Sequence, residues 1–270
     1  MLTKHRYVFD SKCGLFLPKK KNYVPARYPF IGGTVNPFRG SFSPASLSLG
    51  IWLDASDSDT ITLNGDFVSL WEDKTANGND MIQDTATIQP ELNVADMNGL
   101  DTIGGDGTDD ILNASTTTGI PIGNDSKSIV MALRDSAVGG LNQTVFFLGE
   151  PDIDLKSWHG GSGFQTPPLR FFHTWGTDLF GNESTAAPQV WTGIKSGNNH
   201  TLRIDGSVDF GPTDAGTTTV TDTFFRLFGS PGGDHAVQDI GELFIVDSDI
   251  SGGDLTNSEK YISDKWTGTI

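Results

Sequence analysis

The chain has 270 residues, 33 of them glycine, a single cysteine and a net charge of −16. That length can bury one large β core or two small ones, and the lone Cys13 excludes an intrachain disulfide and a cysteine-built zinc cluster. No apolar run is long enough to span a bilayer as a helix, and residues 1–21 lack the apolar core of a signal peptide, so synthesis in a cytoplasm and export by another route are expected.

Residues 1–46 read as an extended arm. Pro18, Pro25, Pro29, Pro37 and Pro44 forbid a helix and disfavour central strands. The first 48 residues hold eight of the 18 basic residues and only Asp10 of the 34 acidic ones, so a +7 segment precedes a body of −23. A body so acidic repels nucleic acid and anionic membrane, and the arm carries no recognised nucleic-acid module. Bulky anchors among the basic residues suit docking along a protein partner. The anchoring candidates are Lys19, Lys20, Lys21, Tyr23, Arg27, Tyr28, Phe30, Phe38 and Arg39. Folding of the arm back onto its own domain is the alternative.

From residue 47 to 270 short apolar or alternating runs predict strands near 49–54, 67–72, 128–134, 143–149, 168–174, 189–195, 199–205, 222–228 and 240–246. Asn64-Gly65, Asp205-Gly206 and Gly232-Gly233 mark turns between them. The pattern predicts an all-β fold of two packed antiparallel sheets. Thr256 and Glu259 stand at capping-box spacing, which predicts a short helix from Thr256 with Ile262 and Trp266 on one face.

Catalytic and metal patterns are sparse. A row of alternating carboxylates on one strand would flank a glycosidic bond. Glu150-Pro151-Asp152-Ile153-Asp154 is the nearest match, and Pro151 interrupts it, so it reads as an acidic loop. The five histidines lack metal-ligand spacing. Trp158, His159 and Trp175 are candidates for glycan contact, Trp158 for its flanking Lys156 and glycines. The acidic turns Asp54-Asp57-Asp59 and Asp106-Asp109-Asp110 offer oxygen ligands of the kind calcium takes, and equally read as solvated turn carboxylates.

Several blocks resemble one family. They are IWLDASDSDTI at 51–61, FVSLWEDKTANGND at 67–80, GDGTDDIL at 105–112 and NHTLRIDG at 199–206, closed by GELFIVDSDI at 241–250 and TNSEKYISDKW at 256–266. Their order is similar to that of the laminin-G-like, concanavalin A-like jelly-roll domains of bacterial and phage surface proteins. The resemblance implies a two-sheet β-sandwich (jelly roll) over 47–270, with the extended N-terminal arm before it and a short C-terminal helix at its end. No cofactor is expected; the resemblance makes calcium at Asp106, Asp109 and Asp110 the one candidate, since related lectin-like domains often hold that ion near their binding edge.

The expected function is that of a non-enzymatic phage virion structural protein. It would be a capsid decoration or cement protein, fastened by the arm to a major capsid or tail protein and displayed as a homo-oligomer on the virion surface. A carbohydrate-binding adhesin of a tail or head fibre, recognising host-surface glycan, is the second reading, and a glycoside hydrolase the third. Neither membrane nor nucleic acid is an expected partner.

Overall fold

The apolar runs that alternate with Gly, Asn and Asp turns form strands, as their β-branched and aromatic content favours. The computed structural model describes residues 42–136, 143–150, 157–163, 168–173, 179–217 and 224–270. In chain order the strands are β1 (Leu49–Asp54), β2 (Ile61–Asn64), β3 (Phe67–Trp71), β4 (Met81–Ile82), β5 (Glu91–Met97) and β6 (Leu100–Gly104). There follow β7 (Leu112–Ala114), β8 (Lys127–Asp135), β9 (Gln143–Gly149), β10 (Ser157–Gly163), β11 (Leu169–His173) and β12 (Phe180–Glu183). The last are β13 (Gln189–Ser196), β14 (Asn199–Ile204), β15 (Ser207–Asp214), β16 (Phe225–Leu227) and β17 (Gln238–Val246), before helix α1 (Gly252–Ile262) and a π-type turn, Ser263–Thr267.

Every pairing is antiparallel. From one side the ladder runs β15, β14, β13, β8 and β17. The other edge of β17 is shared: residues 242–246 pair with β1 and residues 239–240 with β6. From β6 the sheet continues through β5, β3, β4, β7, β16, β9, β10 and β11 to β12. The two ends of this path meet without a backbone ladder, through a side chain. Asp209 on β15 accepts from the Asn182 backbone N–H at 3.0 Å and from its Nδ2 at 2.6 Å. The result is an all-β antiparallel sheet curled into a nearly closed barrel, with one short helix at its C-terminal end.

Alternate residues of β8, β9, β13 and β17 meet inside this curl. Ile129, Met131, Phe146, Leu148, Trp191, Leu243 and Ile245 belong to one contiguous buried core. Burying such side chains contributes roughly 1.5–3 kcal/mol each. Helix α1 starts four residues earlier than the capping-box spacing predicts. Ser251 is its N-cap, and Thr256, inside the helix, donates to the Gly252 carbonyl at 3.0 Å. Glu259, free of any capping role, pairs with Arg203 of β14 at 2.7 Å. Ile262 and Trp266 are buried as the sequence predicts.

All nine predicted strands fall on observed ones. Eight further strands, β2, β4, β5, β6, β7, β10, β12 and β15, add to them among the described residues. The nine arm residues proposed as anchors, with Trp175, Asp152 and Asp154, lie outside the described residues.

Candidate functional site

A cleft of about 490 Å³ opens where β3, β5 and β6 meet the turn at Gly105–Asp110. Its geometry follows from period-two alternation: Gln89, Glu91 and Asn93 are successive even-spaced positions, so they share one face of the extended chain leading into and along β5. Phe67 sits directly opposite Glu91 in the β3–β5 pairing and stays 45% exposed. The cleft thus offers one aromatic wall, amides, and the carboxyl groups of Glu91, Asp106 and Asp110.

The amides are fixed from behind. Gln89 is buried; its Nε2 donates to the Gln83 carbonyl at 2.6 Å, and its Oε1 accepts from Asn64 at 3.2 Å. Asn93 donates from Nδ2 to Asp239 Oδ1 at 2.9 Å. The other oxygen of Asp239 takes Nε and Nη2 of Arg134 at 3.1 and 2.8 Å, and Arg134 also pairs with Asp96 at 2.7 Å. With its NH2 group held by Asp239, the Asn93 amide has its orientation set by a charge-assisted network. Gly104 lines the cleft directly over this network. A Cβ there would come within 2.3 Å of Asp239 Oδ1 and 2.5 Å of Asn93 Nδ2.

The acidic turn is the electrostatic centre. Asp106 Oδ1 accepts the Thr108 N–H at 2.7 Å, an Asx turn, and Asp110 Oδ2 accepts the Asp106 N–H at 3.0 Å. Burial, and then the Asp106 charge, push the Asp110 carboxyl up to about 6; the charges of Asp109 and Glu91 add to the rise, and the Asp106 N–H opposes it. Asp106, Asp109 and Asp110 bring a ligand oxygen each within 4.8 Å of one another. Three hard carboxylate donors fit calcium, which takes six to eight oxygens, so water or ligand hydroxyls would complete the shell.

The other acidic turn is occupied by lysine. Lys74 reaches Asp54 at 3.1 Å and Asp57 at 2.7 Å, and Lys265 reaches Asp54 at 2.8 Å. Burial raises the Asp54 carboxyl, but Lys265, Ser56 and Lys74 together outweigh it and hold the group below the usual carboxylate range.

Two of the three expected glycan contacts, Trp158 and His159, are not at the surface. Trp158 is fully buried, edge-on to Phe146 and Phe172 with ring centres 5.3 and 5.1 Å away. His159 is buried against Phe147 at 5.4 Å. The glycines beside Trp158 suggest an open loop, but they lie in β10, which is paired on both edges and covered. The sequence reading missed Phe67, Gln89, Glu91 and Asn93. The polar row at 89, 91 and 93 was the signal available.

No family model and no curated protein sequence matches the chain. Its fold is shared by solved structures. An arabinofuranosidase complexed with arabinofuranosyl-alpha-1,2-xylobiose matches at 13% identity and a TM-score of 0.59, covering 82% of this chain and 60% of that one. The Botulinum neurotoxin serotype D binding domain matches at 11% identity and a TM-score of 0.54, covering 80% and 52%. The binding domain of Paraclostridial mosquitocidal protein 1 matches at 11% and 0.52, again covering 80% and 52%. The chain therefore spans little more than half the length of these proteins. These likenesses establish the fold: a sandwich- or barrel-like domain of the kind found in carbohydrate-active and binding proteins. They also correct the expected function. An enzyme stands first among the neighbours and no virion component is among those named, so the non-enzymatic phage structural role, with its capsid and virion assignments, is withdrawn.

Proposed function

We propose that this chain is a carbohydrate-recognising β-domain whose ligand site is the Phe67–Glu91–Asn93–Asp110 cleft. The observation that carries the reading is the combination there of an exposed aromatic ring with oriented amide and carboxyl groups. An aromatic face takes the apolar side of a sugar ring, and fixed polar groups take its hydroxyls. The concanavalin A-like jelly roll is the finer fold we infer; the order of the six sequence blocks supports it. Calcium at Asp106, Asp109 and Asp110 belongs to the same proposal, as a further ligand for sugar hydroxyls.

Titration calorimetry with arabinofuranosyl-xylobiose and a panel of plant and bacterial oligosaccharides tests the reading. Phe67→Ala should weaken binding about tenfold, the loss of roughly 1–1.5 kcal/mol expected for an aromatic contact. Absence of binding to every member of the panel would refute the site.

A second reading, hydrolysis, is favoured by one observation. Asp110, with its carboxyl raised to about 6, lines the same cleft as Glu91. A carboxyl raised in this way, beside a second acid in one cleft, is the arrangement that general-acid cleavage of a glycoside uses. Release of nitrophenol from 4-nitrophenyl α-L-arabinofuranoside, lost in Asp110→Asn while oligosaccharide binding persists, would establish it. No release from any glycoside tested would leave recognition as the function.

A further inference from the structure

Three positions of the cleft form one row across the sheet. Phe67 on β3 lies directly opposite Glu91 on β5, and Glu91 lies directly opposite Gly104 on β6. Opposed residues of antiparallel strands project to one face, so the Phe67 ring and the Glu91 carboxylate stand side by side. Gly104 adds no side chain, and the Asn93–Asp239 hydrogen bond takes the space its Cβ would fill. The row therefore presents, in turn, an exposed aromatic ring, a carboxylate and a fixed amide. Glu91 is exposed and, among the described residues, makes no ion pair and no side-chain hydrogen bond.

The free groups of the cleft are one-sided. Asp110 is 7% exposed; its Oδ2 takes the Asp106 N–H, and its Oδ1 has no hydrogen-bond partner among the described residues. Asn93 turns its NH2 group to Asp239, which leaves its carbonyl oxygen for a ligand. Both ends of the Gln89 amide are already engaged. No lysine, arginine or histidine among the described residues lines the cleft, and Arg134, behind Gly104, is held by Asp96 and Asp239. The side-chain oxygens left over, on Glu91, Asn93 and Asp110, are acceptors. An ammonium group supplies three donors and no acceptor. An acetamido group brings a carbonyl that needs a donor, and a uronate brings a charge of the wrong sign.

We infer that this cleft selects an amino sugar with its amine free, the sugar ring lying on Phe67 and the ammonium group paired with Glu91. The inference rests on the carbohydrate reading of the cleft and names the ligand class within it: unacetylated glucosaminyl oligosaccharides. A cation within reach of an aromatic face is attracted by its π electrons, which adds to the ion pair. Glu91 is not one of the three carboxylates proposed for calcium, so amine and ion have separate partners.

The test is titration calorimetry of the full chain in calcium-free buffer at about pH 6, below the usual range of such amines. The probes are the trimers of glucosamine, N-acetylglucosamine and galacturonate, with trilysine as the control for plain attraction to an acidic protein. The glucosamine trimer should bind about five- to tenfold more tightly than its acetylated form, the scale of a half-exposed ion pair with a cation–π contact. The galacturonate trimer should bind most weakly of the three sugars. Glu91→Gln, a substitution of matched shape at an exposed position, should bring the affinities for the glucosamine and N-acetylglucosamine trimers together. An acetylated or galacturonate trimer that binds as tightly as the glucosamine trimer, trilysine that matches it, or a preference that survives Glu91→Gln would overturn the selection. Sugar binding that is lost in Phe67→Ala would in those cases still leave carbohydrate recognition standing. No binding by any of the three sugars would overturn both.

Discussion

The indole N–H of Trp266 donates to Glu242 Oε2 at 2.9 Å, and that carboxylate is completely shielded from solvent. Three more donors converge on it: Trp52 Nε1 at 2.7 Å, Tyr261 Oη at 3.0 Å and Lys265 Nζ at 2.7 Å. A buried charge is tolerated when its lone pairs are filled in this way. Lys265 also holds Asp54, the residue opposite Glu242 on β1. The C-terminal segment therefore pins the pairing of the first and last strands. Gly241 admits the ring: a Cβ there would come within 2.4 Å of the Trp266 indole.

Trp266→Ala should cost about 3–5 kcal/mol, the usual range for emptying a large aromatic site. Trp266→Phe, which keeps most of the packing but removes one donor to the carboxylate, should cost about 1–3 kcal/mol. Urea unfolding measures both. A loss below about 0.5 kcal/mol for the alanine variant, the scale of a surface change, would exclude a closing role.

Asp110 makes stability depend on pH in a defined direction. Its carboxyl titrates near 6 in the folded chain against 3.8 for an ordinary aspartate. Between those values the folded state holds the extra proton, so this group's contribution falls as pH rises through the window and is level on either side. Asp110→Asn should flatten that part of the curve and raise the unfolding midpoint at pH 7. Calcium bound as proposed at Asp106, Asp109 and Asp110 would compete with the same proton. Calcium added at millimolar concentration should stabilise the unmutated chain at pH 7, less so near pH 5, and leave Asp110→Asn unaffected. Thermal melts with and without chelator read all three effects.

Gly104→Ala tests the network beneath the cleft. The new methyl would meet Asp239 and Asn93, so the Asn93–Asp239 hydrogen bond must break or shift. We expect destabilisation of about 1–3 kcal/mol, typical of overpacking, and a several-fold loss of oligosaccharide affinity. Asn93→Ala should lower affinity with a smaller cost to stability. Crystal structures or amide NMR shifts of the two variants separate the effects.

Much of the fold was legible because its strands are carried by strong local signals. β8 and β9 are built on near-continuous apolar runs, Ser128 to Leu133 and Thr144 to Leu148, β17 on the less regular Leu243–Val246 stretch, and Asp205-Gly206 forms the left-handed turn its dipeptide predicts, with φ of 48° and 75°. β10 was missed because three glycines in SWHGGSG read as a loop, although two neighbouring strands pair with it. β5 was missed because Val94 and Ala95 break its alternation. Ala95 itself has φ of 55°, an irregularity where the β5–β6 register shifts. The candidate site was less legible than the fold. Glu91 and Asp110 are separated in sequence and meet only through the β5–β6 hairpin and the turn after it. Glu242 reads as one acid in an apolar strand until Trp52, Lys265 and Trp266 are brought around it.

The pairing of β1 with β17 joins Ile51 to Ile245. Among the described residues β1 has no other ladder partner. During synthesis its apolar sequence must therefore wait, unpaired, until the far end of the domain has left the ribosome. Contacts so distant in sequence slow folding and leave a sticky edge open meanwhile. A chain halted before Val246 would expose that edge permanently, so incomplete products of this domain should be recognised by chaperones and proteases as aggregation-prone.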